Sequence, residues 1–287
     1  MDVLTNIRDV QKKAQQIRLD GKSIGFVPTM GYLHEGHMKL IKNARKENDF
    51  VILSIFINPL QFGENEDLDA YPRDEAHDLR QAEQSGVDLV FFPSTSTMYP
   101  TPLSLKIAVV RRADVLCGRT RPGHFEGVVT VLTKLFNICQ PTRAYFGRKD
   151  AQQIAVVDAL IHDFNFSIKL IPVETVRESD GLAKSSRNVN LIDQERAEAP
   201  SIQQALQYGK KLVEQGETDP NIILEKTREF LEFRTHGKID YIEFLSYPEL
   251  EPIETIDCQV ILAAAVFYKR ARLIDNVVFN DAGVTSG

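Results

Sequence analysis

The chain has 287 residues, of which 43% are hydrophobic and 26% are charged, and its formal net charge is −6. This composition is ordinary for a globular protein with room for two domains, and the acidic balance argues against a nucleic-acid-binding surface. Three cysteines without paired spacing predict reduced thiols. No secretory leader is apparent, and no apolar run approaches the roughly 20 residues of a membrane span. We therefore expect a cytoplasmic protein that binds neither nucleic acid nor a membrane.

The first predicted elements enclose a histidine-containing turn. Apolar side chains recur at helical spacing over residues 4–19, and a short apolar strand is predicted over 24–27. A helix is then predicted to run to about residue 48, with His34 and His37 where it begins. Because a helix start presents unpaired N–H groups and a positive dipole end, this turn predicts a site for nucleotide phosphates. A metal site is the alternative, but no third ligand has suitable spacing.

The second unit predicts residues that bind substrate. Residues 50–56 form an almost continuous apolar run, which is typical of a parallel strand covered on both faces. Asn58 and Gln61 follow this strand, where open α/β sheets bind their ligands. A helix ending at Ser85 and a strand over 87–92 complete the next unit. Asp78, from the acidic stretch before that helix, is our candidate ligand for Mg²⁺.

A less regular section follows, in which residues 105–110 are interpreted as a strand. Arg121 and His124 follow, close to glycines and just before an apolar helix predicted over 128–138. Cationic and histidine side chains before a helix start again predict an anion site, as at His34 and His37. A short strand over 144–146 ends close to Lys149, whose charge can meet a phosphate. A helix from residue 151 and a strand over 167–173 end the alternation.

At least five strand–helix units across residues 20–175 predict an α/β fold, a Rossmann-like, doubly wound and mostly parallel sheet. Neither a Gly-x-Gly-x-x-Gly fingerprint nor a Walker A string is present to explain the phosphate features. The predicted nucleotide site must therefore depend on other groups.

The C-terminal part begins with a polar loop that contains Lys184, Ser185, Ser186 and Arg187, which are donors suited to phosphate. Helices are predicted to start near residues 193, 200 and 219, followed by strands over 239–245, 260–269 and 272–279. We expect two domains. Residues 1–176 form the nucleotide-binding domain, and residues 177–287 form a smaller α+β domain that closes over the active site.

These features indicate an ATP-using enzyme that positions its substrates and stabilises phosphate charge. The sequence contains no Ser-His-Asp arrangement and no reactive Cys-His pair, which argues against a covalent enzyme intermediate. Residue chemistry alone does not indicate which phosphate of ATP is attacked.

A resemblance to a known family supplies that reaction. His34-Glu35-Gly36-His37 resembles the His-x-Gly-His motif of the nucleotidyltransferase superfamily, and Lys184–Arg187 resembles its Lys-Met-Ser-Lys-Ser-like loop. Together the motifs are similar to those of the pantothenate synthetase (pantoate–β-alanine ligase) family. They span residues 28–40, 54–62, 71–73, 121–127, 146–153 and 184–188.

The resemblance implies that (R)-pantoate attacks the α-phosphorus of ATP and that β-alanine then displaces AMP from pantoyl adenylate. Mg²⁺ is expected to accompany ATP, and the family is typically a homodimer. The implied catalytic residues are His34, His37, Lys149 and Arg187, and Gln61 and Gln153 would bind pantoate, with Asn58, Arg121 and His124 as further substrate-binding candidates. The ATP-binding residues would be Met30, Gly31, Tyr32, Leu33, His34, Glu35, Gly36, His37, Gly147, Arg148, Lys149, Asp150, Val176, Lys184, Ser185, Ser186 and Arg187.

Three other functions remain open at this point. A nucleotidyltransferase acting on a phosphorylated small molecule would share both phosphate motifs, but it would not need Asn58 and Gln61. An aminoacyl-tRNA synthetase is disfavoured because tRNA requires a basic surface. A nucleotide sensor would bind ATP without releasing pyrophosphate.

Overall fold

The computed structural model describes residues 1–63, 68, 71–280 and 282–284. The chain divides into two compact units. The first contains residues 1–110, 121–148 and 156–174, and the second contains residues 111–120, 149–155 and 175–287. Our predicted boundary after residue 176 stays a prediction. In the described ranges, no helix combines the length and apolar character needed to cross a bilayer.

The first unit contains a six-stranded parallel sheet with the order β1-β4-β3-β2-β5-β6. Its strands are β1 (Asp2–Leu4), β2 (Ile24–Thr29), β3 (Phe50–Ile55), β4 (Leu89–Phe91), β5 (Arg143–Gly147) and β6 (Lys169–Val173). The chain moves from β2 to β3 and β4 on one side, then to β5 and β6 on the other. The order therefore reverses at β2, and ligands of such sheets bind at the carboxyl ends of the strands near this point.

Helices connect these strands and cover the sheet. Their bounds are α1 (Ile7–Leu19), α2 (Glu35–Glu47), α3 (Glu75–Gln84), α4 (Thr95–Met98), α6 (His124–Cys139) and α7 (Ala151–Asp163). The short helix α5 (Leu116–Thr120), which lies between α4 and α6 in the chain, belongs to the second unit. α2 buries Leu40, Ile41 and Ala44 in a core shared with Val51 and Leu53 of β3. This apolar packing holds the start of α2 at the carboxyl edge of the sheet.

The second unit is built on an antiparallel sheet of β7 (Lys238–Ser246), β8 (Val260–Phe267) and β9 (Arg272–Phe279). Its helices are α8 (Asp193–Glu198), α9 (Ser201–Glu214) and α10 (Pro220–Glu232). Ile202 and Leu206 of α9 pack against Leu262 of β8, while Leu116 and Ala151 belong to a second core with Ile261. Both faces of this sheet are thus covered. The predicted fold class is confirmed in both parts.

Three local predictions need correction. Residues 105–110 do not pair with any other described strand, and Leu105 and Val110 are exposed. The three-residue strand β1 was not predicted, and it exists because it pairs with β4. α6 begins at His124, four residues before the apolar run suggested, because Gly123 with φ of 81° allows the turn into it.

Candidate active site

The turn after β2 is held by a carboxylate from α3. Gly31 and Tyr32 have φ of 86° and 51°, so the backbone turns through the left-handed region before α2. The Asp78 carboxylate accepts hydrogen bonds from the Tyr32 N–H at 2.8 Å and the Leu33 N–H at 2.7 Å. A Cβ at Gly31 would lie 2.8 Å from the Asp78 Oδ2, so only glycine lets the carboxylate approach this closely. The buried Asp78 therefore fixes the path of the chain into His34.

The two histidines cap the start of α2 and each other. The His34 Nδ1 accepts from the Gly36 N–H at 3.1 Å, and the His37 Nδ1 accepts from the His34 N–H at 3.2 Å. Because each Nδ1 uses its lone pair as an acceptor, each neutral ring carries its proton on Nε2. The rings lie 4.1 Å apart between centroids. This arrangement offers two Nε2–H donors at the positive end of a helix, as an anion site requires.

Replacing Asp78 with alanine is expected to lower the free energy of unfolding by about 3 kcal/mol, because the buried Leu33 N–H and the half-buried Tyr32 N–H lose a charged acceptor. The Km for ATP should rise as well, since the turn before His34 loses its support. Chemical denaturation and initial rates measure the two effects. Glu83→Ala, an exposed change on the same helix, is the control. Unchanged stability of the Asp78 variant would show that these hydrogen bonds do not hold the turn.

Asn58 and Gln61 form a buried amide pair at the carboxyl end of β3. Asn58 begins a 3₁₀ turn over Pro59–Gln61, and its Nδ2 donates to the Gln61 Oε1 at 3.2 Å and to the Gly127 carbonyl at 3.0 Å. The Gln61 Nε2 lies 3.3 Å from the Met30 Sδ. A Cβ at Gly127 would be 2.3 Å from the Leu60 carbonyl oxygen, so a glycine is required where α6 meets this turn. The structure thus brings Gln61 to the turn that precedes His34.

Arg121 and His124 lie on the backbone side of the same turn. The Gln61 carbonyl accepts from the His124 Nδ1 at 2.8 Å, and it is 3.4 Å from the Arg121 Nη2. The Arg121 Nη1 lies 3.2 Å from the His124 Nε2. Since the guanidinium can only donate, the neutral His124 ring carries its proton on Nδ1 and accepts at Nε2. Both side chains therefore support Gln61 and place a positive charge near it.

In the second unit, Lys149 and Ser185 line one small cavity together with Asn188 and Asp275. The Lys149 carbonyl accepts from the Asn276 Nδ2 at 2.9 Å, which fixes the backbone that carries the ammonium group. The Lys149 Nζ is 3.7 Å from the Asp150 Oδ1. Two predicted phosphate-binding side chains, Lys149 and Ser185, are thus near each other within this unit.

The loop that carries Lys184–Arg187 is fixed by ion pairs that the sequence did not suggest. Arg196 of α8 donates to the Glu178 Oε2 at 2.7 Å and to the Asp180 Oδ2 at 2.6 Å. The Arg196 guanidinium beside Asp180 lowers the pKa of that carboxyl. Arg177 forms a two-pronged ion pair with the buried Asp275. These contacts hold the turn between Arg177 and Ala183, which pair as an antiparallel bridge just before the predicted phosphate-binding residues.

Ser185 has a structural contact of its own. Its Oγ accepts from the Arg187 N–H at 3.3 Å and so caps the 3₁₀ turn over Ser186–Asn190. Ser186 is buried, whereas the side chains of Lys184 and Arg187 are half-buried. The Lys184 N–H donates to the Val176 carbonyl at 2.9 Å. The loop is therefore an ordered turn that carries two hydroxyls and two cations.

Gln152 and Gln153 have different environments despite their adjacency. Gln152 is buried, its Nε2 donates to the carbonyls of Arg112 and Val115, and its Oε1 accepts from the Cys117 N–H. The Gln152 amide therefore forms its hydrogen bonds with backbone groups of residues 112–117. Gln153 is half-buried and stays the predicted pantoate-binding residue of the two.

The remaining predicted ATP-binding residues lie at strand ends and in the turns just described. Gly147 ends β5, and the Arg148 Nε lies 3.1 Å from the Glu174 Oε1. Glu35 is exposed in the first turn of α2. These positions at the carboxyl edge of the sheet are compatible with a nucleotide, and their roles stay predictions.

A protein-ligated metal centre is not found among the described residues, where no three His, Cys, Asp or Glu side chains converge. Each oxygen of the Asp78 carboxylate already accepts a backbone N–H. The metal role predicted for Asp78 stays a prediction, and its observed contacts give the carboxylate a structural explanation instead. No signal within residues 74–78 indicated which backbone groups it would meet.

Several known proteins are similar to this chain over nearly its whole length. The profile of the family described as "Pantoate-beta-alanine ligase" matches residues 2–278. The chain is 59% identical over 280 residues to a pantothenate synthetase of Geobacillus sp. (strain WCH70), covering 98% of this chain and 99% of the relative. It is 56% identical over 280 residues to the pantothenate synthetase of Bacillus subtilis (strain 168), covering 98% of each.

Two solved structures share the whole fold. Pantothenate synthetase from Thermus thermophilus superimposes with a TM-score of 0.91 at 39% identity, covering 96% of this chain and 99% of that one. Pantoate-beta-alanine ligase from Francisella tularensis, complexed with beta-gamma ATP and beta-alanine, superimposes with a TM-score of 0.80 at 34% identity, covering 98% of each chain.

Proposed function

The chain belongs to the pantoate-beta-alanine ligase family, and on this premise we propose which of its residues carry the reaction. It is an ATP-dependent ligase that joins (R)-pantoate and β-alanine through pantoyl adenylate. A pantoate carboxylate oxygen forms a bond to the α-phosphorus as pyrophosphate leaves. The β-alanine nitrogen then forms the amide bond as AMP leaves. Neither step needs a covalent bond to the protein.

The histidine pair at the start of α2 is the observation that carries our assignment. Both Nδ1 atoms cap backbone N–H groups, so both Nε2–H groups are donors, and α2 adds the positive end of its dipole. We assign His34 and His37 to the phosphates of ATP. Because pyrophosphate is a good leaving group, His37 acts mainly by stabilising negative charge and not as a proton donor.

The second unit supplies cations for the same nucleotide. Lys149 stabilises the charge that develops on the phosphoryl oxygens during attack, while Ser185, Ser186 and Arg187 bind the outer phosphates. The proximity of Lys149 and Ser185 around one cavity supports this division. The same proposal includes closure of residues 177–287 over the active site.

Pantoate binding is assigned to the amide pair after β3. The Gln61 Oε1 accepts from Asn58, which leaves its NH₂ group as the donor for an oxygen of pantoate. Arg121 lies close enough to the Gln61 carbonyl to add a positive charge near the substrate carboxylate. Gln153 is assigned as the second amide that binds pantoate.

Mg²⁺ is proposed to accompany ATP. The described residues do not form a protein-ligated site for it, and a cation held mainly by phosphate oxygens and water is common for Mg²⁺. Its chemistry there is to neutralise phosphate charge.

The assignment of reaction type is tested by measuring pyrophosphate release with (R)-pantoate, with and without β-alanine, while AMP and ADP are resolved. We expect a stoichiometric pulse without the amine and sustained formation of AMP with it. Formation of ADP would indicate attack on the γ-phosphorus and would overturn the mechanism. Absence of turnover with either combination would favour the nucleotide-sensor alternative.

We also propose that the protein is a cytoplasmic homodimer, as the family resemblance implies. Light scattering coupled to gel filtration gives the mass directly. For a monomer mass of 32.4 kDa, a dimer should double that value, and elution at the monomer mass across the micromolar range would contradict the proposal.

A further inference from the structure

A tyrosine outside all the predicted motifs contacts the amide pair after β3. The Tyr99 hydroxyl donates to the Asn58 Oδ1 at 2.8 Å. The other hydrogen bonds described for the Asn58 side chain are longer, at 3.0 to 3.3 Å. Tyr99 follows α4, and its ring packs against Phe56 with 6.1 Å between centroids. Burial raises the pKa of the Tyr99 hydroxyl, which keeps it protonated and able to donate.

The Asn58 amide uses all of its hydrogen-bonding capacity. Its Oδ1 accepts from the Leu60 N–H at 3.3 Å and from Tyr99, while its Nδ2 donates to Gln61 and Gly127. A flipped amide would set a donor against the Leu60 N–H and an acceptor against the Gly127 carbonyl. With Asn58 only 1% exposed, water cannot relieve either conflict. The orientation of this amide is therefore determined.

The orientation of the Asn58 amide also determines that of the Gln61 amide. Because Nδ2 of Asn58 must donate toward Gln61, the Gln61 side chain must present its oxygen to Asn58 and its NH₂ group to the other side. That other side is where the Met30 Sδ lies, 3.3 Å from the Gln61 Nε2. A fixed NH₂ group favours a ligand with an acceptor oxygen and disfavours one with a donor at the same place.

We propose that Tyr99 is a positioning residue for the acid substrate, and that it acts through Asn58 to keep the Gln61 NH₂ group directed at a pantoate oxygen. The inference rests on the proposed role of Gln61. Tyr99 itself touches neither the substrate nor ATP in this scheme. Loss of its hydroxyl leaves the Asn58 Oδ1 with the longer 3.3 Å contact from the Leu60 N–H, so the Asn58 side chain is held in place less tightly. The Gln61 NH₂ group is then directed at the pantoate oxygen for less of the time.

Tyr99→Phe removes only the hydroxyl and keeps the ring in its packing. We expect the Km for pantoate to rise about fivefold, the factor expected from one hydrogen bond, with the Km for ATP changed less than about twofold. The thermal midpoint should fall by no more than about 4 °C. Tyr208→Phe is the matched control, because this tyrosine stacks on Phe230 in the second unit.

A double-mutant cycle separates positioning from a structural role. If Tyr99 acts through Gln61, the Tyr99→Phe change should add nothing to the pantoate Km once Gln61→Ala is present. Additive effects of the two substitutions, or equal increases in the Km values of pantoate and ATP, would overturn the inference. If Gln61→Ala alone leaves the pantoate Km unchanged, the proposed role of Gln61 fails first. A Gln61 effect without a Tyr99 effect rejects only the role of Tyr99.

Discussion

Replacing Lys149 with alanine is expected to slow pyrophosphate release by about 10²- to 10³-fold while the protein remains folded. The ammonium group stabilises phosphoryl charge that is greatest in the transition state, so the loss should appear in kcat more than in the Km for ATP. Rapid-quench measurement of the first turnover isolates this step, and the overall ligation rate should fall by a similar factor.

A second substitution tests whether charge or side-chain packing is responsible. Lys149→Met retains most of the aliphatic stem without the charge, and it should be as slow as the alanine variant. Lys226→Ala removes an exposed lysine on α10 and should leave the rate unchanged. Near-normal pyrophosphate release by either Lys149 variant would remove this residue from the mechanism.

Two substitutions at His37 should separate its capping role from its phosphate-binding role. In His37→Asn the amide oxygen is placed to accept from the His34 N–H in place of Nδ1, but no donor remains at the Nε2 position. We expect kcat to fall by about 10²-fold with nearly unchanged stability. In His37→Gln the longer amide returns a donor near the Nε2 position, and part of the rate should return.

Stability and rate measured together decide between the two roles. If His37 mainly caps α2, the asparagine variant should keep its activity, since the helix start is preserved. That outcome would contradict the assignment of His37 to phosphate. If kcat falls equally in both variants while their thermal midpoints stay unchanged, an amide N–H cannot replace the imidazole N–H of His37. The position and direction given by the ring would then be required.

Much of the architecture was predictable because it depends on local patterns. The strand–turn–helix unit from β2 to α2 follows from a short apolar run, a glycine-containing turn and helical spacing after it. The three strands of the second unit were predicted within two residues of their observed bounds, since each is a long run of apolar and β-branched residues. The fold class follows from the regular alternation of these elements.

The two failures that concern strands share one cause, which is that a strand needs a neighbour. Residues 105–110 have a strand-like composition but no described strand pairs with them, whereas β1 has three residues and is a strand because β4 lies beside it. Composition describes what a segment is suited to form. Pairing decides what it does form.

The same division applies to the site. His34, His37 and Lys149 could be predicted as phosphate-binding residues from the sequence, because a helix start and a strand end can be located from neighbouring residues. The contacts that hold the site became visible only in the folded chain: Asp78 holds the turn before His34, Arg196 pairs with Asp180 ahead of Lys184, and Tyr99 reaches Asn58. These contacts join residues separated by 16 to 46 positions. A hydrogen bond depends on the distance and direction between two atoms, and for such pairs both are set by the packing of the whole unit.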